Sequence, residues 1–384
     1  MSNYPLIHWN EAGEEKSARW RSESGTAPPK RVVIADDRMT ADDAYRLACE
    51  GTALLWRGDF QNARQLLQAM ARRTDEKPRE RKTKKIAATT TEAFNLHRQA
   101  QSQRARTLGM LLIPFGADHS IPLRRAPDVH QACTDAYGPA TEPYIATLRS
   151  LQGLIGAYEW RKNGVEIPAL GARIHPHYGV FAPIRGEYIG LVNDAPLPGL
   201  TAIQSVAFDI GTGTGVLAAV LARRGIKHIV ATDQDARAIN CAHENLKRLG
   251  LAEQIKVVQA DLFPEGRAAL IVCNPPWVPA RPSSPLEHAV FDPESRMLLG
   301  FLNGLAGHLE AGGEGWLILS DLAEHLGLRT RAGLLAAIEM AGLKVLGKID
   351  VKPNHPRVSD TSDPLHLARA TELTSLWRLT ANSP

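Results

Sequence analysis

Cysteine is scarce in this chain. Cys49, Cys133, Cys241 and Cys273 are all that its 384 residues contain, and no two form a C-x-x-C pair. This spacing argues against a disulfide framework and a cysteine zinc site, and it predicts reduced thiols in a cytoplasmic protein. No apolar run approaches the ~18 residues of a membrane span. The N-terminal MSNYPLIHWNEAGEE lacks the basic start and apolar core of a signal peptide. His175 and His177 have H-x-H spacing, but no third ligand accompanies them, so they read as turn or surface histidines and no metal is expected.

What is present is ordinary in amount and uneven in place. The chain is 44% hydrophobic and 22% charged, enough for full cores, and its length suggests two domains. Arg57 to Arg125 holds fifteen Lys and Arg against six Asp and Glu, a net of +9 in a chain whose total is +4. The remainder is therefore acidic, at −5. Arg72 to Lys85 concentrates the excess, with eight basic residues in fourteen. Such a run is either a solvated loop or a phosphate-contacting arm built on Arg79, Arg81, Lys82, Lys84 and Lys85.

Residues 1–38 show no period and read as an irregular tail. Residues 39–155 read as a mostly helical, basic domain suited to substrate recognition. Thr40 and Asp43 make an N-cap pair, with Ala44, Leu47, Ala48, Leu54 and Leu55 as a helical stripe. Phe60, Ala63, Leu66, Leu67 and Met70 make a second. Leu108 to Phe115 reads as a helix end or a strand, and Thr141 to Tyr158 as a further helix. Asn163-Gly164 predicts a β-hairpin within 156–192.

From residue 193 the pattern changes to alternating strands and helices, which implies a parallel sheet wound on both faces. Its first unit is VAFDIGTGTGV at Val206 to Val216. A buried strand runs into Gly211, Gly213 and Gly215, where the absence of Cβ lets a ligand approach the backbone. The sixth position from Gly211 is Val216, so the G-x-G-x-x-G dinucleotide fingerprint is not met. The D-x-G-x-G-x-G pattern starting at Asp209 resembles motif I of the class I S-adenosylmethionine (SAM) methyltransferases. A nucleotide oxidoreductase and a plain glycine turn are the alternatives. Later strands end at Asp233, Asp261 and Asn274, and ligands in such sheets sit beyond the strands' carboxyl ends. Asp233 suits two ribose hydroxyls. Asp261 suits an exocyclic adenine amine, with Leu262 and Phe263 as walls.

Asn274-Pro275-Pro276-Trp277 carries the chemistry. Two prolines end a strand and fix the backbone. The Asn274 side-chain oxygen and the Pro275 carbonyl then become two acceptors at a set separation, matched to the two donors of a planar –NH2. Trp277 offers a face for stacking. Holding both hydrogens draws the nitrogen lone pair out of conjugation and aims it at a methyl sulfonium.

The glycine motif, Asp233, Asp261 and NPPW in this order resemble the amino-group N-methyltransferases. These include RNA and DNA adenine-N6 and guanine-N2 methyltransferases and the release-factor glutamine methyltransferases. Phe291-Asp292-Pro293, Leu298-Leu299-Gly300 and Gly179-Val180-Phe181-Ala182-Pro183 with Glu187 resemble segments of the release-factor enzymes. The resemblance covers roughly Ile174 to Thr380. It implies a Rossmann-like, seven-stranded α/β catalytic domain over 193–384, with SAM as cofactor and S-adenosylhomocysteine as product. It implies cofactor contacts from Asp209, Gly211, Thr212, Gly213, Gly215, Asp233, Asp261, Leu262, Phe263 and Asn274, catalytic roles for Asn274, Pro275, Pro276 and Trp277, and substrate contacts from Phe181, Pro183 and Trp277. The basic segment favours a nucleobase amine in RNA, or in DNA. A protein glutamine, a small-molecule amine and a non-catalytic nucleic-acid-binding role are the alternatives.

Overall fold

The computed structural model describes strands and helices within residues 4–75, 89–199, 206–282, 287, 289–353 and 363–382. They sort into two units, one within 1–87 and 95–159 and one within 88–94 and 160–384.

The first unit corrects two expectations. Residues 1–38 are not an irregular tail: they contain β1 (Leu6–Glu11), β2 (Glu14–Trp20) and β3 (Arg31–Ala35). The reason is a half-exposed alternation. Ile7 is buried while Leu6 and His8 face out, and the turn passes through Ala12 and Gly13 at positive φ. Nor is 39–155 mostly helical. With β4 (Thr52–Trp56), β5 (Leu111–Phe115) and β6 (Tyr144–Thr147) it completes a six-stranded mixed sheet, ordered β1-β2-β6-β5-β4-β3. Leu54 and Leu55 belong to β4, where every residue is buried. A short run buried on both faces satisfies helix and strand periods alike.

The Thr40 cap is real: its hydroxyl accepts from Asp43 N at 3.1 Å and starts the helix Ala41–Cys49. The second helix runs Phe60–Asp75 and buries the five predicted apolar residues. The third expected helix begins only at Leu148, because Tyr144–Thr147 is β6. Asn163-Gly164 is not a hairpin turn but the end of Leu148–Asn163, with Gly164 at φ +70° donating to Trp160 O. The hairpin lies just beyond, between β7 (Val165–Ile167) and β8 (Ala172–Ile174).

The second unit is the expected seven-stranded α/β fold. Its strands are β9 (Val206–Ile210), β10 (His228–Asp233), β11 (Ile255–Gln259), β12 (Ala268–Cys273), β13 (Leu309–Ser320), β14 (Leu343–Val351) and β15 (Thr374–Ala381). They are ordered β11-β10-β9-β12-β13-β15-β14, with β15 antiparallel to both neighbours and the others parallel. Residues along each strand alternate between two apolar layers. Leu270, Val272, Trp316 and Ile318 face helices Glu187–Asp194 and Val216–Arg223. Ile271, Cys273, Leu317 and Leu319 face Arg296–His308 and Arg331–Met340. Burying the sheet on both faces leaves the carboxyl ends of the parallel strands as its open edge.

Candidate active site

A cavity of about 900 Å³ opens at that edge, wholly within the second unit. Its size lies in the range of small-molecule and cofactor sites. The strand ends build it in order. After β9 the chain turns through Gly211 (φ +73°), Gly213 (φ +55°) and Gly215 (φ +82°), where an L-residue would be strained. A Cβ on Gly211 would stand 2.4 Å from Met297 Cε, whereas one on Gly213 would meet no atom within 4 Å. The turn is therefore packed on one side and leaves room beside Gly213.

Asp209 braces this turn from beneath. It is 1% exposed, and its Oδ2 accepts from Thr212 Oγ1 at 2.6 Å and from Ala218 N at 3.0 Å. Burial pushes its carboxyl up to about 6. Asp209, expected as a cofactor contact, does not line the cavity and supports the glycine turn from beneath. Gly215 also lies outside the cavity wall. A Cβ there would be in ordinary contact with Ala242 and Leu246 at 3.4 Å, so it is the backbone at φ +82° that calls for glycine.

Asp233 ends β10 inside the cavity. Its Oδ2 accepts from Gly213 N and its Oδ1 from Asp235 N, both at 3.0 Å. Burial raises its pKa, while these amides pull the other way. Asp235 caps the helix Ala236–Arg248 by accepting from Arg237 N. Asp261 lines the cavity and pairs with Arg296 at 2.6 Å. Leu262 also lines it, at φ +73°, with its carbonyl accepting from Thr232 Oγ1. Phe263 does not. Its ring stacks on His308 at 4.3 Å and on Phe301 at 5.8 Å, so it is core rather than wall.

β12 ends because Pro275 and Pro276 have no N–H to continue the ladder. Asn274, Pro275, Pro276 and Trp277 all line the cavity. The Trp277 indole Nε1 donates to Asn274 Oδ1 at 2.9 Å. No sequence pattern marks this bond. It holds the Asn274 amide in place and leaves the oxygen a second lone pair for a ligand. Phe181 lines the cavity, whereas Pro183 is buried away from it. The five basic residues Arg79, Arg81, Lys82, Lys84 and Lys85 lie outside the described residues.

Several wall residues carried no sequence signal. Arg185 and Met297 lie within segments that resemble the release-factor enzymes without being motif residues themselves, whereas Arg369 and Glu372 come from a segment without a motif, and only the pairing of β13 with β12 and of β15 with β13 brings them to this edge. His175 and His177 are structural. His175 Nδ1 meets Arg161 O at 2.7 Å, and His177 Nε2 meets Glu244 Oε2 at 2.9 Å. Among the described residues, no group of three His, Cys, Asp or Glu could hold a metal, and no helix is long and apolar enough to cross a membrane.

The chain is similar to known methyltransferases. Residues 194–326 match the Methyltransferase small domain family. A ribosomal protein L11 methyltransferase of Pelotomaculum thermopropionicum is 39% identical over 141 residues, 36% of this chain and 38% of that protein. A release factor glutamine methyltransferase of Cereibacter sphaeroides is 32% identical over 181 residues, 43% of this chain and 62% of that protein. The chain thus spans less than two thirds of either relative. Among solved structures, a methyltransferase from Pyrococcus furiosus is 17% identical with a TM-score of 0.40, covering 60% of this chain and 98% of that one.

Proposed function

We propose that this chain, whose residues 194–326 match the Methyltransferase small domain family, transfers a methyl group from SAM to a planar amino nitrogen. The observation that carries the reading is that one cavity wall holds both the glycine turn with Asp233 and the Asn274-Pro275-Pro276-Trp277 segment. The first half fits SAM. Asp233 offers a carboxylate to ribose hydroxyls, Asp261 and Leu262 flank the place of the adenine, and the open side of Gly213 admits the methionine end. The second half fits an –NH2. Asn274 Oδ1, steadied by the Trp277 indole, and the Pro275 carbonyl accept its two hydrogens. SAM held there would supply a methyl group on its sulfonium, which the nitrogen lone pair, aimed by these two acceptors, would take up while the sulfur would leave as a neutral thioether. The nitrogen then loses one proton to water. Fixed acceptors aimed at a nitrogen that becomes more acidic in the transition state stabilise that state more than the ground state.

For the substrate we favour an exocyclic base amine in RNA or DNA, on the charge excess of residues 57–125. A protein glutamine is the second reading, and the name of the C. sphaeroides relative favours it. Incubating the chain with methyl-labelled SAM and separate RNA, DNA and protein fractions tests both. Label in one fraction identifies the class. SAM binding without label in any of the three fractions refutes a macromolecular substrate.

A further inference from the structure

The first unit carries a built pair of cations that the methyl-transfer site does not use. Its strands β3, β4 and β5 are parallel neighbours. Ligands of such sheets sit beyond the carboxyl ends of the strands. There Asp37 follows β3, Asp59 follows β4, and the loop through Arg124 and Arg125 follows β5. The turn after β4 is packed close, since a Cβ on Gly58 would stand 2.5 Å from Asp37 Oδ1. That oxygen accepts from Asp59 N at 2.9 Å and from Asn62 Nδ2 at 3.0 Å.

Asp59 is the anchor. Its side chain is fully buried, yet its Oδ2 accepts from two arginines at once, from Arg124 Nε at 2.9 Å and from Arg125 Nε at 2.6 Å. Its Oδ1 accepts from Gln61 N at 2.9 Å and so caps the helix Phe60–Asp75. The arginine backbones are fixed as well. Arg124 O accepts from Phe60 N at 3.0 Å, and Arg125 O accepts from Gln61 Nε2 at 3.3 Å. Arg125 sits at φ +56°, a left-handed backbone that a bulky residue adopts only under strain. Glycine would take it freely, so what arginine adds there is its guanidinium.

Both guanidiniums are held by Nε alone. Among the described residues their terminal nitrogens make no other hydrogen bond, and the two side chains are 75% and 59% exposed. Two forks side by side, with their outer N–H groups free, match the oxygens of one phosphate group. Arg64 stands next to them, its Nη1 donating to Gln61 Oε1 at 3.0 Å. Three guanidiniums against Asp59 and Asp37 leave this face positive. Its exposure suits a polymer lying across it better than a small ligand, which needs enclosure. Resting on the nucleic-acid reading of the substrate, we propose that Arg124 and Arg125, pinned by Asp59, clamp one phosphodiester of the nucleic-acid backbone. The clamp reads no base; it fixes where the polymer lies on the first unit.

The test measures binding of the full chain to a fluorescent single-stranded RNA and to a DNA of the same sequence, by anisotropy, from about 50 to 200 mM salt. The arm that binds tells the two sources apart. D59N/R124Q/R125Q removes the buried charge together with both partners, and the new amide oxygen still accepts from Gln61 N. R46Q, on the helix Ala41–Cys49, changes net charge by the same single unit and is the control. D59N/R124Q/R125Q should weaken binding at least about tenfold and lower the logarithmic salt slope by about 0.7, one phosphate's share on a single strand. SAM affinity and thermal midpoint should not change. R125G relieves the strained backbone and leaves Arg124 on Asp59, so it should weaken binding by about threefold without lowering the thermal midpoint. Wild-type affinity and slope in D59N/R124Q/R125Q, or a loss no larger than that of R46Q, overturns the clamp and leaves the nucleic-acid reading in place. So does a fall in thermal midpoint in both clamp variants that tracks their loss of binding, which would make the pair a loop staple. Free AMP bound as tightly as either polymer also overturns it, in favour of a mononucleotide site. Failure of the unaltered chain to bind RNA or DNA removes both the clamp and the nucleic-acid reading, and methyl transfer to a protein glutamine then stands.

Discussion

Asp209 links pH to stability. Its carboxyl has an ordinary value of 3.8, and burial in the fold raises it to about 6. Between those values the folded chain holds a proton that the unfolded chain releases. Stability from this group is thus complete below about pH 4 and is lost as pH rises through 6. The gap of about two units is worth about 3 kcal/mol, of which about 2–3 kcal/mol is titrated between pH 4 and 7. Asp209→Asn is the perturbation. Both bonds to the carboxylate fall on Oδ2, so a single amide oxygen can accept from Thr212 and Ala218 alike. Urea titrations of the two proteins at pH 4, 5, 6 and 7 should then converge or cross: the variant gains relative to wild type as pH rises, by about 2–3 kcal/mol over the range. Comparing the pair cancels groups common to both. Among these are Asp59 and Glu11, whose carboxyls are held down at about 2 chiefly by Arg125 and by Arg57, and whose contribution runs the opposite way, lost only as pH falls toward 2. A constant difference between variant and wild type from pH 4 to 7 would show that Asp209 is not a strained buried carboxyl.

Four other outcomes are expected. Asp233→Ala should weaken SAM binding by about 1.5–3 kcal/mol, since both a charged acceptor and the tether of Gly213 N are removed; unchanged affinity in calorimetry removes Asp233 from the site. Asn274→Ala should lower kcat by about 10²–10³ with a smaller change in KM, whereas Trp277→Phe keeps the ring face but frees the Asn274 amide. Its cost should be about 1 kcal/mol, or about fivefold in kcat, and a Phe variant at full turnover would deny the indole any positioning role. Neutralising Arg79, Arg81, Lys82, Lys84 and Lys85 together should flatten the salt dependence of nucleic-acid binding by roughly 0.7–0.9 for each phosphate no longer neutralised, and an unaltered slope would leave the run as a solvated loop.

The half that holds the cavity was legible because each of its signals is local. Glycines at 211, 213 and 215 are demanded by the backbone angles they adopt, and Pro275-Pro276 ends β12 for want of N–H groups. Strand-end polar residues mark the open edge of a doubly covered sheet wherever it occurs. The first half resisted the same reading because its signals are ambiguous at short range. TALLW at β4 is buried throughout, so its apolar run fits either period, and β1 is too polar on its outer face to stand out. Asn163-Gly164 has the composition of a hairpin turn, yet a glycine at positive φ serves a helix end equally well.

By itself, then, the sequence determined the βα rhythm from residue 206, the glycine turn, the acidic strand ends and the rigid Asn-Pro-Pro-Trp segment, since each follows from the conformational limits of a few adjacent residues. Only the tertiary structure decided which of them face the cavity. It turned Asp209 and Phe263 inward as supports and joined the Trp277 indole to Asn274. It also brought Glu372 beside Ser320 from 52 residues away along the chain. Those contacts depend on strand order, and β15 enters the sheet next to β13 through long-range pairing that no local pattern encodes.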